Sequence, residues 1–283
     1  MFAVALLTGI HNMDDDKVYG QNISYVIVIA ILLIASCYAT RLTAAERLPI
    51  STFIFPPFNF VENGRVVGSE IDVVRKVFQR MGYELDVEVR PIQRAYAETV
   101  KGNFVALVAL SETPQRFSDF YPSDPISWTK PELAKRKDAD IVLKTVDDYS
   151  PHLVGITKGF HYTKEFEESV AAGNIRVFEL AGQNTELQHL KMLDSGRVDL
   201  VFSEANVISH LMKIHSPEFD KLERVGSLSG IVYPHHLLFS KNWPNSKKLT
   251  EQFNIHLAAF WAGGEAEGIW DKYGIVVRLP KSK

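Results

Sequence analysis

The chain has 283 residues, of which 46% are hydrophobic and 23% charged, and its formal net charge is -3. This composition is typical of a globular protein with one large domain or two medium ones, and the balance of 31 basic against 34 acidic residues, with no dense basic cluster, argues against a nucleic-acid-binding protein. A single cysteine excludes both a disulfide framework and a paired-thiol redox or zinc motif.

The first 45 residues differ from the rest of the chain. An apolar run without charge covers residues 23–39; Lys17 precedes it and small residues follow it. This pattern predicts a secretory signal or membrane-targeting segment over residues 1–45, although its length of roughly 17 residues also permits an uncleaved anchor. Cleavage after Ala45 is the route we favour, and lipidation of Cys37 in the lipobox-like IASC is the alternative. We therefore expect an exported, periplasmic protein.

From Leu48 onward, short β-rich runs alternate with amphipathic helical runs. In the first half, the patterns predict strands over 49–55, 84–90 and 104–110, a turn over 62–65, and helices over 69–82 and 92–102. Ser69 could cap the first of these helices and Gly82 could end it. The continuous apolar strand 104–110 is of the kind that is buried on both faces.

A second, similar series follows near Leu133. The patterns predict strands over 153–157, 175–180 and 198–203, helices over 162–173 and 184–196, and then a strand and two closing helices in the last fifty residues. The alternation predicts an α/β fold in which each of two lobes has a mostly parallel sheet flanked by helices. We expect lobe 1 to comprise residues 46–127 and 235–283, lobe 2 to comprise residues 128–234, and two short chain crossings to form a hinge.

Arg116 lies just beyond the buried strand 104–110, five residues after Ser111. Ligands of parallel sheets gather at the carboxyl ends of strands, and the planar guanidinium group matches a carboxylate with two hydrogen bonds. The alternative is structural: Arg116 would cap a helix or pair with Glu112 or Asp119 at the surface. The spacing alone leaves both interpretations open.

Glu204 follows the corresponding strand of the second half. A carboxylate there, facing an arginine, would suit a ligand with both an anionic and an ammonium group, whereas by itself Glu204 is typical of a helix N-terminus. Aromatic residues near Phe55 and Phe160 could form the walls of a pocket or belong to the core. Main-chain N–H groups after Gly159, at the start of a helix, could donate to an anion.

Signals for catalysis or cofactors are poor. The chain has no GxxxxGK[ST] loop, no GxGxxG after a strand, no HExxH and no GxSxG. His235 and His236 are adjacent and would point to opposite sides of a strand, which argues against a shared metal ion. We expect no cofactor, no metal site and no enzymatic activity.

Four segments, taken in order, resemble the family 3 extracellular solute-binding proteins. These are FPPFNFVENGRVVGSEIDVV, TPQR with FSDFYPSDP, LDSGRVDLVFSE and LAAFWAGGEAEGIWDKYG, which together extend the resemblance from Leu48 to about Val277. The family implies a periplasmic-binding-protein fold whose two lobes close on a polar amino acid and present it to an inner-membrane ABC permease. A monomer without nucleic-acid partners is expected.

The resemblance also implies the ligand-binding residues. Arg116 would hold the α-carboxylate with Ser111, and Glu204 stands where relatives place the acceptor of the α-ammonium group. The remaining positions implied by the family pattern are Phe55 over the ligand, Ile92 in the pocket wall, and Phe160 with His161 at the start of the lobe 2 helix. Arg94 would admit a second anionic group if it faced the cleft.

Departures from the family pattern leave other functions open. Val105 replaces an aspartate, Ile92 replaces a tryptophan of one subgroup, and GFHY lacks threonines, so a ligand other than an amino acid is possible. An enzyme similar to cyclohexadienyl dehydratase would use Glu204 as a general acid and would need its pKa raised. A ligand-sensing module without transport is the other alternative.

Overall fold

A computed structural model describes residues 45–226 and 230–277. The predicted signal segment, including Cys37, lies outside the described residues. The strands are β1 (Glu46–Thr52), β2 (Phe60–Glu62), β3 (Arg65–Val67), β4 (Tyr83–Val89), β5 (Ala106–Ser111), β6 (Phe120–Thr129), β7 (Pro131–Arg136), β8 (Leu153–Thr157), β9 (Arg176–Leu180), β10 (Leu200–Glu204), β11 (Leu222–Gly226) and β12 (Tyr233–Ser240). The helices are α1 (Ser69–Arg80), α2 (Ile92–Val100), α3 (Pro114–Asp119), α4 (Lys164–Ala171), α5 (Thr185–Asp194), α6 (Ala205–Ile214), α7 (Ser246–Ala262) and α8 (Glu265–Tyr273).

Two five-stranded sheets organise these elements. The first sheet has the order β4-β1-β5-β12-β6, and the second has the order β11-β7-β10-β8-β9. Strand β1 is parallel to β4 and β5, and β8 is parallel to β9 and β10, while β12 and β7 are antiparallel to both of their neighbours. The predicted α/β fold with helix-flanked sheets is therefore confirmed, and antiparallel pairs complete each sheet.

Only Lys130 separates β6 of the first sheet from β7 of the second, and the chain returns to the first sheet between β11 and β12. The lobe boundaries at residues 127 and 234 stay a prediction. In the described part of the chain, no helix combines the length and the apolar character needed to span a membrane.

Local sequence explains most of the element boundaries. All six residues of β5 are buried, as the continuous apolar run predicts. Helix α1 begins one residue earlier than a Ser69 cap would imply, because Gly68 occupies the N-cap and Ser69 is the first helical residue. Gly68 has φ 134°, and a Cβ there would lie 2.0 Å from the carbonyl oxygen of Phe58, so only glycine fits this close approach.

Strands β6, β7 and β11 were not expected from the sequence. Two prolines interrupt β6, and its pairing with β12 shifts register twice, so the segment lacks a regular alternation. Strand β7 ends in Lys135 and Arg136, residues that are uncommon in buried strands. Tertiary pairing with β10 and β11 overrides these local preferences.

Two hydrophobic clusters support the sheets. The larger packs the first sheet against α1, α7 and α8, with contacts among the rings of Phe78, Phe239 and Phe253, and it also includes residues of β10, α5 and α6. The smaller lies on the second sheet around Phe166 and Phe202, whose ring centroids are 4.9 Å apart. Leu110 near the end of β5 and Phe202 in β10 belong to these clusters, so the packed cores fix the two strand ends that could form a site.

Candidate functional site

A cavity with about 520 Å³ of empty space lies beside the ends of β5 and β10. Segments of both sheets contribute to it, and its walls combine aromatic rings, hydroxyl groups, one arginine, two histidines and one carboxyl group. The lining residues are Phe53, Phe55, Ala109, Leu110, Ser111, Arg116, Thr129, Pro131, Phe160, His161, Tyr162, Ser203, Glu204, Tyr233 and His235.

Arg116 is the central cation of this cavity. It lies in the short helix α3, where the hydroxyl of Thr113 accepts a hydrogen bond from its main-chain N–H and so starts the helix. Its Nη1 donates to the carbonyl and the hydroxyl oxygen of Ser111, at 2.7 and 3.0 Å. Its Nη2 donates to the carbonyl oxygen of Gly159, 3.0 Å away, in the loop after β8. The guanidinium group therefore connects the first sheet to a loop of the second.

The charge of Arg116 has no carboxylate partner among the described residues. Its side chain is 7% exposed, and burial lowers the pKa of Arg116 to about 10, while Tyr96 and Glu167 oppose that shift. The group therefore stays cationic at neutral pH. The predicted surface pairs with Glu112 or Asp119 do not form; Asp119 accepts instead from Tyr96 and Gln115. A buried cation of this kind is stabilised by an anionic ligand.

Glu204 caps helix α6, as the helix N-terminal interpretation predicts. Its Oε2 accepts from the main-chain N–H groups of Asn206 and Val207, at 2.6 and 3.0 Å. Its Oε1 accepts from the side chain of Asn206 at 2.9 Å and from the N–H of Lys130 at 3.2 Å. Burial raises the pKa of Glu204 to about 8, and these four donors oppose the shift. Glu204 lines the cavity without contacting Arg116.

His235 brings a second ionisable group to the first-sheet wall. Its Nδ1 lies 3.0 Å from Oε1 of Glu70, and its Nε2 lies 3.2 Å from the hydroxyl of Thr129. Glu70 is fully buried and also accepts from the hydroxyl of Ser127 and from Nδ2 of Asn59. The carboxylate fixes Nδ1 of His235 as a donor and holds the ring towards the cavity. His236 points away and contacts the carbonyl oxygen of Ser123.

A second buried carboxyl group supports the opposite wall. Glu186, in α5, accepts from the hydroxyl groups of Thr157 and Ser203, and burial raises its pKa. Nearby, His189 is completely buried and packs against Gly155; burial lowers its pKa to about 4. Glu186 thus orients Ser203 at the cavity surface.

Aromatic rings close the cavity. Phe55 and Phe160 meet edge to face with ring centroids 5.3 Å apart, and Phe53 contacts both rings at 5.8 Å. His161 lies 5.7 Å from the ring of Tyr233 and forms a 2.9 Å contact with Glu167. Helix α4 begins only at Lys164, so the loop after Gly159 is not the helix start that the sequence indicated.

Six of the eight predicted site residues line this cavity: Phe55, Ser111, Arg116, Phe160, His161 and Glu204. Ile92 lies in a neighbouring cavity that shares Leu110, Arg116, Phe160 and His161 with the first. Arg94 lines neither cavity. Its side chain is 65% exposed and pairs with Glu98 on the surface of α2, so it does not supply the second cationic contact.

The sequence did not single out several other members of the wall, namely Phe53, Thr129, Ser203, Tyr233 and His235. Phe53 lies two residues before Phe55, and this spacing within one segment is a signal that could have identified it. The Glu70–His235 contact joins residues 165 positions apart, and no local pattern could have predicted it. Within residues 45–226 and 230–277, no group of three His, Cys, Asp or Glu side chains is placed to hold a metal ion.

Comparisons with known proteins identify similar sequences and similar folds. The sequence model of the bacterial extracellular solute-binding proteins, family 3, matches residues 52–275. The probable amino-acid-binding protein YxeM of Bacillus subtilis (strain 168) is 23% identical over 155 residues, which are 54% of this chain and 56% of that protein. The chain thus matches just over half the length of this curated relative.

Solved structures share the fold. An ancestral arginine-binding protein bound to arginine is similar with a TM-score of 0.71 and 23% identity, covering 81% of this chain and 99% of that one. The ancestral amino acid-binding protein AncCDT-1, a precursor of cyclohexadienyl dehydratase, is similar with a TM-score of 0.67 and 18% identity, covering 81% and 95% of the two chains.

Proposed function

We propose that this chain, which belongs to the bacterial extracellular solute-binding proteins of family 3, binds a small, polar, amino-acid-like anion in the cavity around Arg116. The ligand's carboxylate would accept hydrogen bonds from the guanidinium group and from the hydroxyl of Ser111. Phe55 and Phe160 would cover its apolar part. The protein would act outside the cytoplasm and deliver the ligand to an ABC-type permease in the inner membrane.

The observation that carries this proposal is the burial of Arg116 without a carboxylate partner among the described residues. Desolvating a cation is costly, and the hydrogen-bond acceptors that the described chain gives this one are carbonyl and hydroxyl oxygens. A carboxylate from outside would complete the pairing in the bidentate geometry that arginine favours.

Binding would close a clamp. The proposed lobes, residues 46–127 with 235–283 and residues 128–234, would move about the two chain crossings. The bond from Arg116 to Gly159 supports this proposal, because it joins segments that belong to the two sheets. Opening the clamp would break that bond and expose the guanidinium group to an incoming anion.

Isothermal titration calorimetry with small amino acids and organic acids tests the function. We expect a ligand in this set, and we expect Arg116→Met to weaken its binding by about 2–5 kcal/mol, since a buried charge-assisted contact is lost. Arg94→Met is the matched control, because it removes an exposed arginine that pairs only with Glu98. Unchanged binding by Arg116→Met, or no binding by the unaltered protein, would reject the proposal.

A second candidate is an enzyme similar to cyclohexadienyl dehydratase, with Glu204 as the general acid. One observation favours it: Glu204 lies in the cavity with its pKa raised to about 8 by burial, and no contact with Arg116 opposes the shift. Such a group could hold a proton at neutral pH and donate it to a leaving group. Product formation from prephenate or arogenate that disappears in Glu204→Gln would support this candidate; inert mixtures would exclude it.

A further inference from the structure

The carboxyl group of Glu204 is where a ligand's α-ammonium group would have to find its acceptor. Among the described residues that line the cavity, Glu204 is the only acidic one. The buried carboxyl groups of Glu70 and Glu186 lie behind the walls and accept from side chains of the protein. Recognition of an ammonium group by a carboxylate therefore depends on one side chain.

Glu204 is already fully engaged. The protein directs four donors at its two oxygens, two to each: the N–H groups of Lys130, Asn206 and Val207 and the side-chain amide of Asn206. Its side chain is 4% exposed. An ammonium group could bind only by displacing a donor that would itself become buried without a partner.

The opposite wall is rich in free donors. Arginine has five N–H groups, and Arg116 makes three hydrogen bonds, so at least two remain. The hydroxyl of Ser111 accepts from Arg116, and in the described chain its own proton has no acceptor. This wall suits a carboxylate whether or not the ligand also carries an ammonium group.

We infer that the cavity prefers a small carboxylic acid without an α-ammonium group, such as a 2-hydroxy acid, to the α-amino acid with the same carbon skeleton. This inference rests on the proposed function. The two ligands share the carboxylate that binds Arg116. They differ in whether a charged, strongly hydrated group must enter a cavity in which the one acidic side chain among the described lining residues is already occupied.

Matched pairs of ligands test this inference by calorimetry. Suitable pairs are L-lactate with L-alanine, L-malate with L-aspartate and L-3-phenyllactate with L-phenylalanine, since each pair differs only in the group on C2. For the pair that fits the cavity, we expect the hydroxy acid to bind at least about tenfold more tightly, because stranding a buried polar group costs that much or more.

Glu204→Asp provides the complementary variant. Aspartate is a good N-cap, so it can still accept from the first N–H groups of α6, while its shorter side chain withdraws from Lys130 and leaves an oxygen for the ligand. We expect the preference for the hydroxy acid to fall by about fivefold or more, since one charge-assisted hydrogen bond becomes available. Glu84→Asp, at an exposed site in β4, is the control, and thermal melting checks that each variant folds.

The outcomes separate the two claims. Amino acids that bind as tightly as their hydroxy-acid partners, or more tightly, would overturn the inference and leave the proposed solute-binding function standing. A preference that Glu204→Asp does not change would overturn the role of Glu204 as the selecting residue. Binding of neither member of any pair would overturn the inference together with the proposed function.

Discussion

The two walls of the cavity solve the burial of charge in different ways. On the first-sheet wall, Arg116 keeps a full charge and spare donors, and its described partners are all neutral oxygens. On the second-sheet wall, Glu204 is surrounded by four donors and Glu186 by two hydroxyl groups. The cation of the first wall therefore keeps N–H groups that a ligand could use, whereas the protein itself supplies donors to the carboxyl groups of the second wall.

The largest expected change in stability concerns Glu70 and Glu186, the two buried carboxyl groups behind the walls. Glu70→Leu leaves three buried donors without an acceptor, among them the ring of His235, so we expect the free energy of unfolding to fall by about 3–5 kcal/mol. Glu186→Leu strands only two hydroxyl groups, which can rotate to other acceptors, so we expect a loss of about 1–3 kcal/mol.

Urea denaturation of both leucine variants at pH 7 measures the difference. Because both substitutions replace a buried glutamate in a helix, they control for each other. Equal losses would contradict the expectation that three stranded donors around Glu70 cost more than two around Glu186.

The next effect concerns pH above neutrality. Burial raises the pKa of Glu204 from 4.5 to about 8 in the folded protein. The folded state therefore holds its proton more tightly, so this contribution to stability is complete below about pH 4.5 and is lost as pH rises through about 8. We expect it to amount to about 2–4 kcal/mol, given that one pKa unit corresponds to about 1.4 kcal/mol.

Unfolding free energies from pH 5 to pH 9 measure this dependence. Glu204→Gln cannot ionise, so its stability should fall less over that range than that of the unaltered protein. Parallel curves for the two proteins would mean that Glu204 does not titrate in this window.

The smallest effect lies on the acid side and also belongs to the second sheet. Burial lowers the pKa of His189 from 6.5 to about 4. Its contribution is therefore present above about pH 6.5 and is lost as pH falls through about 4, because the unfolded state takes up the proton first. His189→Leu should reduce the loss of stability between pH 6.5 and pH 4 by about 1–3 kcal/mol.

Urea denaturation of His189→Leu and of the unaltered protein at each pH gives the difference in unfolding free energy that is due to His189. His152→Leu, in the turn before β8, is the matched control for the removal of a histidine. If His189→Leu loses as much stability between pH 6.5 and pH 4 as the unaltered protein, other groups cause that loss.

Local patterns predicted the elements that form the frame of the site. The apolar run of β5, the exact bounds of β8 and the helix after Gly68 all follow from periodicity and from residues that end an element. These elements place Ser111 and Glu204 at strand ends and Arg116 in the short helix after β5, as we predicted from the sequence. All three residues line one cavity, so apolar patterns that locate strand ends were enough to predict part of its wall.

What the sequence could not predict depends on contacts between distant residues. Arg94 has a side chain that could bind an anionic ligand, but it lies on the face of α2 that points to solvent and pairs there with Glu98. Nothing near His235 in the chain indicates Glu70, and nothing near Glu204 indicates the N–H of Lys130. Such contacts require the packed sheets, because only these bring the donors and acceptors together.

The bond between Arg116 and the carbonyl oxygen of Gly159 makes the number of free N–H groups on the guanidinium depend on the distance between two segments. It can form only while the loop after β8 is within about 3 Å of α3. In the open form of the proposed clamp, Arg116 would lose this acceptor and offer one more N–H to an incoming anion. On closing, that donor would return to the protein, so the number of donors that the guanidinium group offers would depend on whether the proposed clamp is open.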